Sequence, residues 1–193
     1  FRGKINNNIS CLDPYKIIII AKPQTSFSET EKYIIDQYLM KGGRILWLID
    51  QSHINLDSIQ EGAALAYPRN LNLDDQLFRY GIRINNKLIQ DAQCALVPIN
   101  IAIQGEQPRF APTPFYYLPL MVPSDNHPLS RNLNLVRGEF VNTIDTVNPT
   151  AKVTKHILLS SSPMSRAISV PVMIHLSEAK RVLQPGDFLK KPL

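Results

Sequence analysis

Directly after the apolar run RILWL, residues Asp50, Gln51, Ser52 and His53 bring a carboxylate, an amide, a hydroxyl and an imidazole together. Asp50 and His53 have the residue types of an acid–base pair, and the four together could line a polar ligand pocket. The same residue types also end strands and start turns. A second hydroxyl-rich stretch, LSSSPMSR, offers Ser161 and Ser162 as groups that could grip a polar ligand. Serines without an activating base are also ordinary loop formers. Lys22 adds a cation at the end of the run IIIIA.

Spacing argues against covalent catalysis at any of these positions. A hydrolase serine needs the strained turn of G-x-S-x-G, and the chain contains none. An amidotransferase cysteine needs a similar elbow flanked by glycines. Cys11 precedes the first apolar run, and Cys94, in AQCALV, reads as a small buried hydrophobe. The two cysteines could pair, but two alone fix no compartment. Neither G-x-G-x-x-G nor G-x-x-x-x-G-K-S/T occurs, which argues against dinucleotide and ATP chemistry. The histidines at 53, 127, 156 and 175 are scattered, without metal-ligand spacing. No cofactor or metal is therefore expected, and SDNHPLSRNL reads as turn.

Composition narrows the partners. Residues 1–150 hold 14 basic and 14 acidic residues, and residues 151–193 hold 7 and 2, so the whole net charge of +5 lies in the last segment. Those charges are dispersed apart from Lys180-Arg181 and Lys190-Lys191, with no aromatics interleaved for base stacking, so no nucleic-acid partner is expected. No apolar run approaches the roughly 18 residues of a membrane span. The chain starts at Phe1 without the pattern of a signal peptide, and it is read as part of a longer protein with any membrane anchor outside it.

The elements that would position these groups follow from the apolar patterning. YKIIIIAKP reads as a strand covered on both faces. Ser26 with Glu29 and Ser28 with Glu31 both have capping-box spacing. Ile34, Ile35, Tyr38 and Leu39 then share a helical face that Gly42 or Gly43 terminates. RILWLID completes a βαβ unit with parallel strands. Residues 57–72 read as an exposed loop, LNLDDQLFRYGI as a short helix closed by Gly81, and DAQCALVPI as a strand. The proline-interrupted segment GEQPRFAPTPFYYLPLMVPSDNHP, residues 105–128, is expected to carry no helix through it. YYLPLMVP is expected on or near a sheet edge. GEFVNTIDTV, KHILLSSSP and VPVMIHL are expected as further strands.

LDPYKIIIIAKPQTSFSETEKYIIDQYLMKGGRILWLID, NLDDQLFRYGIRINNKLIQD, HPLSRNL and ILLSSSPMSR occur in that order from about Leu12 to Ser165. In order and spacing they resemble the gliding-associated ABC-type auxiliary transport proteins of Bacteroidetes. The resemblance implies an α/β fold with a mostly parallel sheet flanked by helices, similar to class I glutamine amidotransferases (flavodoxin-like) but without their catalytic residues. It implies a domain over 1–165, a basic extension over 166–193, and further extended or β segments in the C-terminal half. It further implies a non-catalytic, substrate-binding-like auxiliary component, periplasmic and anchored in the inner membrane. Its partners would be an ABC permease and ATPase, with a small ligand as a further possibility.

In a parallel sheet the crevice beyond the carboxyl ends of the strands is the usual binding site. This places Lys22, Asp50, Gln51, Ser52, Ser161 and Ser162 at the expected site, with His53 beside them. Two other readings stand: a scaffold exposing FYYLPLMVP, and a cryptic hydrolase or amidotransferase relative using His53 or a serine.

Overall fold

The computed structural model describes residues 5, 7–55, 58, 59, 62–100, 102, 107–148, 153–180, 185–188, 192 and 193. Of the two basic pairs noted above, Arg181, Lys190 and Lys191 lie outside them. The chain divides into two units: Phe1–Gln51 with Arg69–Arg83 and Thr146–Val153, and Ser52–Pro68 with Ile84–Asp145 and Thr154–Leu193.

The first unit is built on β1 (Ile17–Ala21), α1 (Glu29–Met40) and β2 (Arg44–Leu48). Of the two candidate caps, Ser28 is the one used. Its Oγ accepts the Glu31 N–H at 3.2 Å, and the Glu31 carboxylate accepts the Ser28 N–H at 2.9 Å. Gly42, at φ +91°, provides the left-handed residue that ends the helix. β1 and β2 pair in parallel from Ile17↔Arg44 to Ala21↔Leu48, as the βαβ pattern requires. Ile18, Ile20, Ile45 and Trp47 pack on Ile34, Ile35 and Tyr38 of α1. The opposite face is not covered as expected: Ile17 is 57% exposed and Ile19 63%. The LNLDDQLFRYGI helix is α2 (Asp74–Arg79), and Gly81 follows it at φ +90°.

The second unit is made of strands. These are β3 (Ser52–His53), β4 (Ala63–Pro68), β5 (Ile82–Asp91, in this unit from Ile84), β6 (Cys94–Asn100), β7 (Phe110–Pro123) and β8 (Val136–Arg137). They continue with β9 (Asn142–Thr146, in this unit to Asp145), β10 (Leu159–Ser160), β11 (Ser165–Ser169) and β12 (Val172–His175). Three sheets result, in the orders β12-β4-β3, β11-β5-β9 and β10-β7-β6, with β8 also on β7. β4 occupies part of the segment read as a loop. The core gathers Ala64, Ala66, Leu88, Phe115, Tyr117 and Ile174.

The mostly parallel, amidotransferase-like (flavodoxin-like) sheet is therefore not the fold. Among the described residues strand far exceeds helix, and β1–β2 pair in parallel while β10–β7, β11–β5, β12–β4, β3–β4, β6–β7 and β7–β8 run antiparallel. A parallel pair needs a crossover of a dozen or more residues, usually a helix. Residues 22–43 supply one, whereas α2, between β4 and β5, has only six residues.

The YYLPLMVP stretch also departs from its expected edge position. β7 is flanked by β6 on one side and by β8 and β10 on the other. Its prolines remain compatible with a ladder. Pro112 and Pro114 share parity, so their missing N–H groups fall on one side, and β8 and β10 begin pairing only at Leu120. Pro119 sits where the β6–β7 register is irregular.

Candidate functional site

The seven residues nominated by sequence fall in both units. Lys22, Asp50 and Gln51 belong to the first, and Ser52, His53, Ser161 and Ser162 to the second.

In the first unit the chain leaves β1 through Lys22, whose φ of +46° is unusual for a residue with a Cβ. Its N–H donates to Leu48 O at 2.8 Å, which holds this turn against the end of β2. The Lys22 ammonium lies 3.5 Å from the Asp50 carboxylate, with the two side chains 70% and 47% exposed. An exposed pair of this kind adds little stability, so both charges remain available to a partner. Gln51 is buried, and its carbonyl accepts the Arg69 N–H at 2.7 Å. The Arg69 guanidinium in turn donates to Pro23 O at 2.9 Å and to Gln24 Oε1 at 2.6 Å. Lys22, Gln24, Asp50 and Arg69 thus ring the carboxyl ends of the parallel pair. Arg69 and Gln24 were missed because Arg69 arrives from another chain segment, 47 positions after Lys22, with no motif around it.

In the second unit the serine hydroxyls are engaged by internal hydrogen bonds. Asp91, fully buried, accepts Ser162 Oγ at 2.5 Å, the Ser162 N–H at 2.7 Å and the Gln93 N–H at 2.8 Å. Ser162 Oγ also accepts the Met164 N–H at 3.0 Å. Ser161 Oγ lies 2.7 Å from Ser165 Oγ and accepts the Leu193 N–H at 2.7 Å. These hydroxyls hold the loop before β11 in place, and all three serines are buried. Ser52, on β3, is buried as well and accepts Asn142 Nδ2 at 2.8 Å. His53 stands half-buried against Tyr67, with ring centroids 4.9 Å apart. Within this unit Ser161 and Ser162 are neighbours, while Ser52 and His53 lie in a different sheet.

The second unit also carries a cleft that sequence reading did not identify. It encloses about 600 Å³ and is lined by Val97, Pro98, Phe110, Phe115, Leu118 and Phe140, with Arg137 and Glu139 at its polar side. Arg137 and Glu139 are paired at 2.8 Å. Phe110 is 64% exposed, whereas Phe115 and Leu118 belong to the core. Phe140 packs edge-on to Phe115 at 6.1 Å and stacks on Tyr117 at 5.9 Å, while its own φ is +48°. A bulky residue held in the left-handed region is strained, and such strain concentrates at functional positions. FYYLPLMVP is consequently not an exposed patch: Phe115, Tyr117, Leu118 and Met121 are buried.

Titration in the second unit favours neutral groups. Burial, and secondarily the Glu178 carboxylate, pushes the Tyr117 phenol up to about 12. Burial and the charge of Asp91 push the Cys94 thiol up as well. Neither group is primed as a base or nucleophile near neutral pH. Both cysteines are free thiols. Among the described residues, no group of three or more His, Cys, Asp or Glu could hold a metal ion, and no helix is long and apolar enough to cross a membrane.

A family model described as an ABC-type uncharacterized transport system matches residues 3–192, nearly the whole chain. No curated protein and no solved structure matches.

Proposed function

The chain belongs to the family of ABC-type uncharacterized transport systems, as an auxiliary component, and from that premise we propose that it is a non-catalytic, extracytoplasmic domain that captures a ligand or partner for the permease and ATPase of its transporter. The family match across residues 3–192 carries this reading. Placement outside the cytoplasm, anchorage in the inner membrane and a role in gliding motility or export rest on the resemblance of its ordered segments to gliding-associated auxiliary proteins. A non-catalytic role is supported by Ser161 and Ser162, whose hydroxyls are engaged internally. The apolar cleft has the size and lining usual for ligand capture. The Lys22–Asp50 pair, exposed at the ends of the parallel strands, is proposed as a partner contact.

The test is affinity purification of the tagged full-length protein from its native membranes, with the wild type compared against Phe110→Asp and Asp50→Lys. Recovery of a permease and an ATPase with the wild type, reduced in either variant, supports the reading and tells which surface docks. Recovery of neither with the wild type overturns it. Fusions to alkaline phosphatase and to green fluorescent protein test the location, and phosphatase activity without fluorescence is the expected outcome.

A scaffold reading has its own support. Ile17, Ile19, Leu46 and Leu48 leave one face of the β1–β2 pair apolar and exposed, whereas parallel sheets are normally covered on both faces. Loss of complex assembly in Ile19→Asp, with ligand capture intact, would favour it.

A further inference from the structure

His127 and His156 stand 29 positions apart in sequence, yet their ring centroids lie 5.2 Å apart with the planes inclined at 52°. The β7–β10 ladder brings them together. Val122 pairs with Ser160 and Pro123 with Leu159, and the Ser124 N–H then donates to Leu158 O at 2.9 Å. The chain leaving β7 therefore runs beside the chain entering β10. His127 opens a turn in which its carbonyl accepts the N–H groups of Ser130 and Arg131, each at 3.0 Å. Its ring is half-buried, that of His156 is exposed, and neither belongs to the core of the second unit.

We infer that His127 and His156 form a two-imidazole site for a borderline divalent cation, Cu²⁺ or Zn²⁺, with solvent completing the coordination. Imidazole is the commonest protein ligand for such ions. A ring nitrogen lies about 1.1 Å from its ring centre, so at a zinc–nitrogen bond of about 2.1 Å the ion sits about 3.2 Å from each centre. Two imidazoles bound to one tetrahedral ion would then have ring centres about 5.2 Å apart, and the separation of His127 and His156 matches that value. With no third protein ligand among the described residues, coordination would be completed by water and binding should follow the general order Cu²⁺ above Zn²⁺.

Ligation has one local cost. The Leu129 N–H donates to His127 Nδ1 at 3.2 Å. A cation on Nδ1 displaces that bond, and a cation on Nε2 requires the tautomer with a proton on Nδ1, which removes the acceptor. The Leu129 amide is therefore an internal reporter of binding by either nitrogen.

The experiment is calorimetric titration of the 193-residue chain with Cu²⁺ and with Zn²⁺, alongside His127→Ala, His156→Gln and a His53→Ala, His175→Ala double variant. Saturable binding of one ion per chain is expected. Either site variant should lose at least about tenfold in affinity, because the second imidazole binds intramolecularly. The double variant should retain wild-type affinity, and the Leu129 amide resonance should shift on metal addition to the wild type. Circular dichroism of each variant separates a lost ligand from a lost fold. Absence of saturable binding overturns the site, as does equal affinity in all variants, which would leave the histidine pair as a ring contact only.

Discussion

Asp91 is the residue whose removal tests the account of the second unit most directly. It lies at the end of β5, fully buried, and its two oxygens accept two backbone N–H groups and one hydroxyl. Hydrogen bonds to a charged acceptor contribute about 1.5–3 kcal/mol each, and a buried donor left without an acceptor costs about 1–3 kcal/mol. Asp91→Ala removes all three bonds and orphans the N–H groups of Gln93 and Ser162. Loss of the buried charge returns part of its desolvation cost, so the net destabilisation expected is about 3–4 kcal/mol. Asp91→Asn keeps one carbonyl oxygen for Gln93 and Ser162 Oγ, but points an amide N–H at the Ser162 N–H. One charge-assisted bond becomes a donor–donor conflict, at about 1.5–2 kcal/mol. Urea unfolding followed by circular dichroism should therefore rank wild type above Asp91→Asn above Asp91→Ala, with similar m values. Both variants falling within about 0.5 kcal/mol of wild type, the range of a neutral surface change, would refute the idea that this carboxylate anchors the loop before β11.

Other perturbations probe the first unit and the thiol. Ser28→Ala should lower stability by about 1 kcal/mol, since it removes the acceptor of the α1 capping box, and far-ultraviolet circular dichroism during thermal melting would record it. A Cβ on Gly43 would run into the Tyr38 ring, whereas one on Gly42 meets open space but inherits φ +91°. Gly43→Ala is thus expected to cost about 1–3 kcal/mol and Gly42→Ala about 1 kcal/mol, a ranking that chemical denaturation checks. Hydrogen bonds from the buried Lys32 ammonium hold Asp75 below its ordinary 3.8 and Glu29 below its ordinary 4.5. Depressed carboxylates stabilise the fold above their unfolded values and lose that contribution as pH falls through the folded ones. Lys32→Met should therefore flatten the decline in stability below pH 4.5, and an acid limb as steep as that of the wild type would contradict the triad. The raised Cys94 thiol should react with iodoacetamide more slowly at pH 8 than a free cysteine peptide, as mass spectrometry of the labelled peptide would show.

What the sequence disclosed and what it withheld divide along the range of the interactions involved. β1, α1 and β2 were legible because their determinants are local: a capping box at Ser28–Glu31, an apolar helical face, and a left-handed glycine at position 42. The same strand pattern misled on coverage, because a run of four isoleucines is apolar on both faces whether or not anything packs on the second. Beyond Asp50, pairing is set by contacts between distant segments, as when β5 takes β11 as its partner through Asp91↔Ser165. Nothing local distinguishes that antiparallel partner from a parallel one, and the expected parallel sheet failed there.

Of the residues nominated from sequence, Lys22 and Asp50 are brought within 3.5 Å of each other, because they follow the ends of the two parallel strands. Ser161 and Ser162 have the residue types of a ligand grip, but their hydroxyls became internal bonds once β5 brought Asp91 beneath them. The cleft under Phe110 and Phe140 and the His127–His156 pair share one reason for being hidden. The cleft is built in part on β7 and the histidine pair lies just past its end, and four prolines made that strand hard to place. Pro112 and Pro114 precede the stretch where the flank of β7 opposite β6 is bonded, which includes Tyr117 O accepting the Phe140 N–H at 2.9 Å and Pro119 O accepting the Gly138 N–H at 2.8 Å. Which part of a flank is paired is a property of the sheet, and no window of residues carries it.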